Sequence, residues 1–316
     1  MIAQKRLHHK NGRFINPFSG AEYGNFWRLL KWKLFSKNDY KHLYRNQKET
    51  PVHIDIGELS ASRGISVTFI KHSTVYINYL GKRILVDPVF SGLFPFIKDF
   101  SPLAFDPSHM PQPHIILITH GHYDHLDTTS LRRLNPNATI VSPLGYEDIF
   151  NEIGFNNIVS LDWYQGLSLD GLRIVLLPCN HWTMRNPFMG PNRALWGSFV
   201  IEANGQGPSI FVSGDTAYFR GFKEIGKEFK IDLAIFNLGA YEPRWFMAQS
   251  HLNPPEAAQA FVDLNAHELM VVHWGTFRLG DEPVYLPPLE LAKEMEARGL
   301  AERLIKIRHG HTHRIA

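Results

Sequence analysis

The chain is 316 residues long, 44% hydrophobic and 20% charged, which is enough apolar content for one large domain or two ordinary ones and too much for a disordered polymer. A single cysteine, Cys179, excludes an internal disulfide framework and a thiolate-based structural zinc site, so any metal must rest on the seventeen histidines and the carboxylates. The net charge of +3 hides an asymmetry: residues 1–48 hold eleven Lys/Arg against Glu22 and Asp39, a local +9 that leaves −6 on the remainder.

Such a basic leader on an acidic body points residues 1–50, as an N-terminal arm, toward an anionic partner such as a membrane surface or nucleic acid. The opening residues Met1 to Arg6 lack the apolar core of a secretory signal, and no run of about 18 apolar residues follows, so a cytoplasmic address is expected. Within the arm, Phe26-Trp27-Arg28-Leu29-Leu30-Lys31-Trp32-Lys33-Leu34-Phe35 mixes aromatic and aliphatic bulk with cations. It can lie at a lipid interface or strap onto the main domain, residues 51–316; its apolar stripe is not cleanly helical and leaves both open.

From residue 64 the pattern becomes β-rich. Val67–Ile70, Val75–Tyr79 and Arg83–Asp87 read as strands, with Gly81-Lys82 as a turn. Four later apolar runs each lead into a metal-competent residue: 115–118 into His120, 174–177 into His181, 210–212 into Asp215 and 270–272 into His273. Helices are expected over 127–134, 145–153, 255–265 and 288–299, the third opened by Asn253-Pro254-Pro255. Strands alternating with helices indicate a layered α/β domain.

His120 and His122 are two apart, so on an extended strand end both imidazoles project to one side and can grip one ion. Asp124 and His125 follow where the chain turns toward a helix and can grip a second. Imidazole and carboxylate without thiolate suit a catalytic divalent ion such as Zn²⁺. Two ions roughly 3.5–4 Å apart could share a hydroxide and clamp the oxygens of a displacement at carbon or phosphorus. Asp87, at a strand end before Pro88, reads as an acceptor orienting a ligating histidine, and Asp127 equally as that or as the cap of the helix that follows. Cys179 is expected to pack in the interior, and His309, His311 and His313 to lie on a terminal edge strand.

The segment His120-Gly121-His122-Tyr123-Asp124-His125, followed in order by His181, Asp215 and His273, resembles the metallo-β-lactamase superfamily. That resemblance implies an αββα sandwich of two mixed β-sheets flanked by helices, with a metal cleft at one edge. It implies His120, His122 and His181 on one zinc, Asp124, His125 and His273 on the other, and Asp215 bridging; other divalent metals could replace zinc. Further blocks, Asn11–Phe14, Asn180–Thr183, Gly214–Thr216, Gly239–Met247 and His273–Phe277, are similar to the N-acylphosphatidylethanolamine-hydrolysing phospholipases D, from about residue 11 to 277. The implied activity is phosphodiester hydrolysis releasing N-acylethanolamine and phosphatidic acid by a metal-bridging hydroxide. Asp215 and His251 would be catalytic, His251 as a proton donor to the leaving group, while Tyr123, Trp182, Tyr241 and Arg244 would contact substrate. Ser250 departs from the polar amide expected beside His251, and the residues alone leave His251 open as a helix cap. The implied partners are a phospholipid substrate and a membrane surface met peripherally through the arm, with no nucleic acid and a homodimer left open. A lactonase, cyclic-nucleotide phosphodiesterase or nuclease on the same fold, or a non-catalytic membrane-binding protein, are the competing expectations.

Overall fold

The computed structural model describes residues 8–19, 26–61, 64–203 and 207–315; the leader Met1 to Arg6 lies outside them. A hairpin, β1 (His9–Lys10) and β2 (Arg13–Phe14), precedes helices α1 (Phe26–Phe35) and α2 (Ile56–Ala61). Next come β3 (Ile65–Lys71), β4 (Thr74–Tyr79), β5 (Lys82–Val86), β6 (Ile115–Leu117), α3 (Thr128–Leu131), β7 (Thr139–Pro143), α4 (Glu147–Ile153) and β8 (Asn157–Leu161). The second half runs β9 (Gly166–Leu169), β10 (Leu172–Leu177), β11 (Ser198–Glu202), β12 (Ile210–Val212), α5 (Gly221–Glu228), β13 (Leu233–Asn237), α6 (Arg244–Met247), α7 (Pro254–Leu264), β14 (Glu268–Val272), α8 (Leu286–Ala297), β15 (Leu304–Ile305) and β16 (Thr312–Ile315).

Two seven-stranded sheets result, ordered β16-β3-β4-β5-β6-β7-β8 and β15-β14-β13-β12-β11-β10-β9. Both are mixed: β5 through β8 run parallel and the rest of the first sheet antiparallel, while β12 through β15 run parallel and the rest of the second antiparallel. The strands read as almost unbroken apolar runs because both faces are covered, and their period of two sorts the side chains. Val67, Phe69, Ile77, Ile84 and Leu117 meet Ile174, Phe199, Val212, Ile235 and Met270 between the sheets. Their sequence neighbours face outward: Tyr76, Leu85 and Ile116 toward Leu131 and Phe150 of α3 and α4, and Val200, Phe211, Phe236 and Val271 toward Phe222, Phe261 and Leu291 of α5, α7 and α8. This is the αββα sandwich.

Local chemistry sets the ends of these elements. Asn253 caps α7 in a reciprocal box with Glu256, Pro254 and Pro255 occupy its first turn, and Asn265 ends it in the left-handed region. Asp127 caps α3 by accepting from the backbone of Thr129 and Ser130. Cys179 is buried, as expected, and β16 forms an edge of the first sheet with His313 on it, but His309 and His311 precede the strand, and the His309 ring donates to the Trp274 carbonyl instead. Strands β11 and β13, SFVIE and LAIFN, went unassigned from the sequence: five-residue apolar runs have no periodicity that separates strand from helix.

The N-terminal segment straps onto the domain along much of its described length. Phe14 and Phe18 pack against the inter-sheet core, and Trp32 is buried among Ala240, Met247 and Phe246 with its indole N–H donating to Asp281. The other side of α1 stays open, with Trp27, Leu34 and Phe35 exposed.

Candidate metal centre

Every expected ligand follows the C-terminal end of a strand, and for all but His181 that strand has a parallel neighbour, the place where α/β sheets open onto their binding crevice. Beyond β6 the chain carries Thr119, His120, His122, Asp124 and His125; β10 leads to His181, β12 to Asp215 and β14 to His273. The two sheets bring all seven together. Ligand atoms of His120, His122, His181 and Asp215 form one group, and those of His72, Asp124, His125 and His273 a second, each within 4.8 Å. Asp215 lies between them: Oδ2 is 3.8 Å from the Nε2 of both His120 and His181 and 3.3 Å from Nε2 of His125, while Oδ1 is 3.3 Å from Nε2 of His273.

Surrounding groups hold the ligands in place. Asp87 accepts from His125 Nδ1 at 2.7 Å and from both the backbone and hydroxyl of Thr119, so it orients one histidine and fixes the strand end before the next. His181 Nδ1 meets the Ser250 carbonyl at 3.0 Å, and Asn237 donates to Asp215 Oδ1 at 2.9 Å. Arg185 gathers the turn, donating to the carbonyls of Gly121 and Leu126. His72, Asp87 and His273 all adopt positive φ, at 49°, 42° and 73°. Such strain is tolerated where the surroundings over-determine the backbone.

The donor set fits divalent cations. Burial holds His120 and His181 well below the usual imidazole range and takes His122 down to about 4, so these rings are neutral, the form that binds metal. Burial alone would raise the Asp124 and Asp215 carboxyls, but the neighbouring imidazoles, His125 beside Asp124 and His273 and His125 beside Asp215, hold both well below the carboxylate range. His125 Nε2 and His273 Nε2, both buried, have no hydrogen-bond partner among the described residues. Buried polar atoms converging in this way call for a cation between them.

The remaining expected site residues divide. His251 caps no helix: its ring lies 5.4 Å from His181 and 5.9 Å from His273, with Nδ1 3.9 Å from Asp215 Oδ2. Its burial takes the imidazole down to about 4, so it is uncharged at neutral pH and offers an N–H rather than an imidazolium proton. Trp182 packs against His122 at 4.8 Å, and Tyr123 is exposed at the mouth under the Arg185 guanidinium, beside Phe94. Tyr241 and Arg244 stand elsewhere than expected. Tyr241 is buried with its hydroxyl on Glu290, and Arg244 is spent on Glu256 and on the carbonyls of Tyr241 and His251. They brace the chain around His251. His72, Asn237 and Arg185 were missed; a histidine in a tight turn between two strands was the one signal that could have drawn attention to His72.

A beta-lactamase superfamily domain model matches residues 82–274. The chain is 30% identical to N-acyl-phosphatidylethanolamine-hydrolyzing phospholipase D 1 of Caenorhabditis elegans over 321 residues, 92% of this chain and 88% of that protein. It is also 28% identical to a metal-dependent hydrolase of Ligilactobacillus salivarius, over 67% of this chain and 86% of that protein. A metallo hydrolase from the archaeon Ignicoccus hospitalis superposes with a TM-score of 0.61 at 20% identity, covering 80% of this chain and 98% of that one. With the two-sheet sandwich and the His/Asp cluster at its strand ends, these matches place the chain in the metallo-β-lactamase superfamily, as a metal-dependent hydrolase.

Proposed function

We propose that the chain is a phospholipase D-type phosphodiesterase that uses two divalent ions, zinc by the chemistry of the donors, to hydrolyse N-acylphosphatidylethanolamine-like phospholipids to N-acylethanolamine and phosphatidic acid. The observation that carries this reading is the similarity to the nematode phospholipase D across 92% of the chain, on a site where the Asp215 carboxylate lies within 3.8 Å of histidines from both ligand groups. Bound there, a pair of divalent ions supplies Lewis acidity toward phosphoryl oxygens and lowers the pKa of a water.

The protein's own groups do the rest. Asp215, held by Asn237, keeps the two halves of the site in register. His251 presents an N–H beside Asp215, where a phosphate or leaving-group oxygen would lie. Trp182 and Tyr123 wall the mouth, and the exposed Phe94, Phe96, Phe188 and Met189 offer apolar surface to acyl chains. Helix α1 adds exposed Trp27, Leu34 and Phe35, and Arg28 ties it to Trp245 and Gln249, close in sequence to His251. A lipid surface meeting α1 would thus lie near the cleft, peripherally, since no helix among the described residues is long and apolar enough to cross a membrane.

The similarity to a metal-dependent hydrolase of unstated substrate favours, as the second reading, hydrolysis of another ester on the same centre. Metal-replete protein offered N-acylphosphatidylethanolamine, lactones, cyclic nucleotides and a bis-aryl phosphodiester separates the two. Release of N-acylethanolamine with phosphatidic acid is expected; turnover confined to lactones or nucleotides overturns the lipid assignment. Replacing Asp215 by Asn should lower lipid turnover by at least about 100-fold.

A further inference from the structure

One imidazole outside the ligand set read from the sequence stands against the cluster. His72 forms the turn between β3 and β4 and is fully buried with φ +49°. Its main chain is fixed on both sides: the N–H donates to Thr276 Oγ1 at 2.9 Å, and the carbonyl accepts from the His273 N–H at 2.7 Å. The ring centre lies 4.1 Å from that of His273 and 5.0 Å from that of Phe277, both tilted, with Nε2 3.1 Å from Asp124 Oδ2. That same oxygen is 3.6 Å from Nε2 of both His125 and His273.

His72 can serve as a ligand or as a holder of one, and two observations separate these roles. His125, His273 and Asp124, with the Asp215 carboxylate 3.3 Å from Nε2 of both histidines, would supply four positions without His72, the number a tetrahedral zinc takes. His72 Nδ1 is buried with no hydrogen-bond partner among the described residues. A ring ligating through Nε2 must carry its proton on Nδ1, which has no partner among the described residues in either tautomer, and so gives up its hydrogen bond to Asp124 Oδ2. With the proton on Nε2, the ring donates to Asp124 instead.

We propose that His72 is a positioning residue: its Nε2–H holds Asp124 Oδ2 toward the side shared by His125 and His273, while its carbonyl holds the backbone of His273. One turn residue thereby sets the relative placement of two ligands of the second ion. This rests on the two-ion reading of the centre, and the same experiment tests the two separately.

The test is zinc binding by equilibrium dialysis with elemental analysis, plus the visible spectrum of the Co²⁺ form, on the full chain and on His72→Ala, His72→Gln and His72→Asn. Wild type should take up two ions; uptake of one or none overturns the two-ion reading itself. The Ala variant should keep the first ion and bind the second about 10–100-fold more weakly. Gln, whose amide nitrogen reaches the position of Nε2, should recover most of that loss with a wild-type Co²⁺ spectrum, whereas Asn, whose amide stops at the position of Nδ1, should not. Unchanged affinity for the second ion in Ala overturns the proposal. So does failure of Gln accompanied by an altered Co²⁺ spectrum, which would make His72 a ligand. If Ala does not fold, the contrast between Gln and Asn decides.

Discussion

Gly239 shows how little slack the centre has at the level of single residues. A Cβ there would lie 2.7 Å from the His273 carbonyl oxygen and 3.0 Å from its Nδ1, closer than a side-chain carbon can sit. His273 cannot yield, because its own φ is +73° and its N–H is bound to His72. Gly239→Ala should therefore displace the His273 ring, cutting occupancy of the second ion and turnover by about tenfold or more. Metal content measured beside activity checks this; full occupancy with normal turnover would mean that the loop shifts as a unit. Gly121 is confined in the same way, since a Cβ would meet the Tyr146 ring at 2.6 Å.

At the scale of elements, the block from Gly239 to Met247 is held by the loop between β14 and α8. Glu282 in that loop is buried and accepts from the backbone N–H groups of Tyr241 and Glu242. Burial pushes its carboxyl up to about 8 from an ordinary 4.5. Between those values the folded protein holds a proton that the unfolded chain has released, so folding stability falls as pH rises from about 5 to 8. Glu282→Gln keeps an acceptor and cannot ionise. Its melting temperature should therefore gain on that of wild type steadily across this window, and parallel melting curves would show that Glu282 ionises freely in the folded state. The neighbouring Trp32, buried on the same block, explains why α1 is an integral part of this wall instead of a loose arm.

At the scale of the whole molecule, the two sheets gather metal-competent side chains from distant parts of the chain. The centre lies where both sheets end, so ligands from β6, β10, β12 and β14 meet although they are far apart in sequence. The aromatic side chains that the fold leaves in solvent include Trp27 at 73%, Phe35 at 78%, Phe96 at 83% and Phe188 at 100% exposure. On the lipid reading these are the contact surface. Replacing Trp27, Leu34 and Phe35 together by Ala should weaken association with anionic phospholipid vesicles by at least about tenfold, given the apolar area removed. Hydrolysis of a soluble phosphodiester should be unchanged. Vesicle binding equal to that of wild type, measured by co-sedimentation, would assign the membrane contact elsewhere or to nothing.

The sequence by itself determined His120 to His125 as a cluster of metal-competent residues, the alternation of strands and helices and the role of Asp87, because each depends on neighbours along the chain: His120 to His125 lie within six positions, and Asp87 ends a legible strand. It also determined Asn253 as the start of α7, since caps are local chemistry. Only the tertiary structure decided which residues complete the site. His72 is 52 residues from Asp124, and Asn237 is 22 from Asp215, so no spacing rule links them. The same holds for the partners of Arg244 and Tyr241. Arg244 and Tyr241 sit in a motif that invites a polar contact, yet Glu256 and Glu290 reach them first. A charged or phenolic group turned toward the interior takes whatever partner the fold supplies, and that partner is fixed by how α7 and α8 pack on the second sheet.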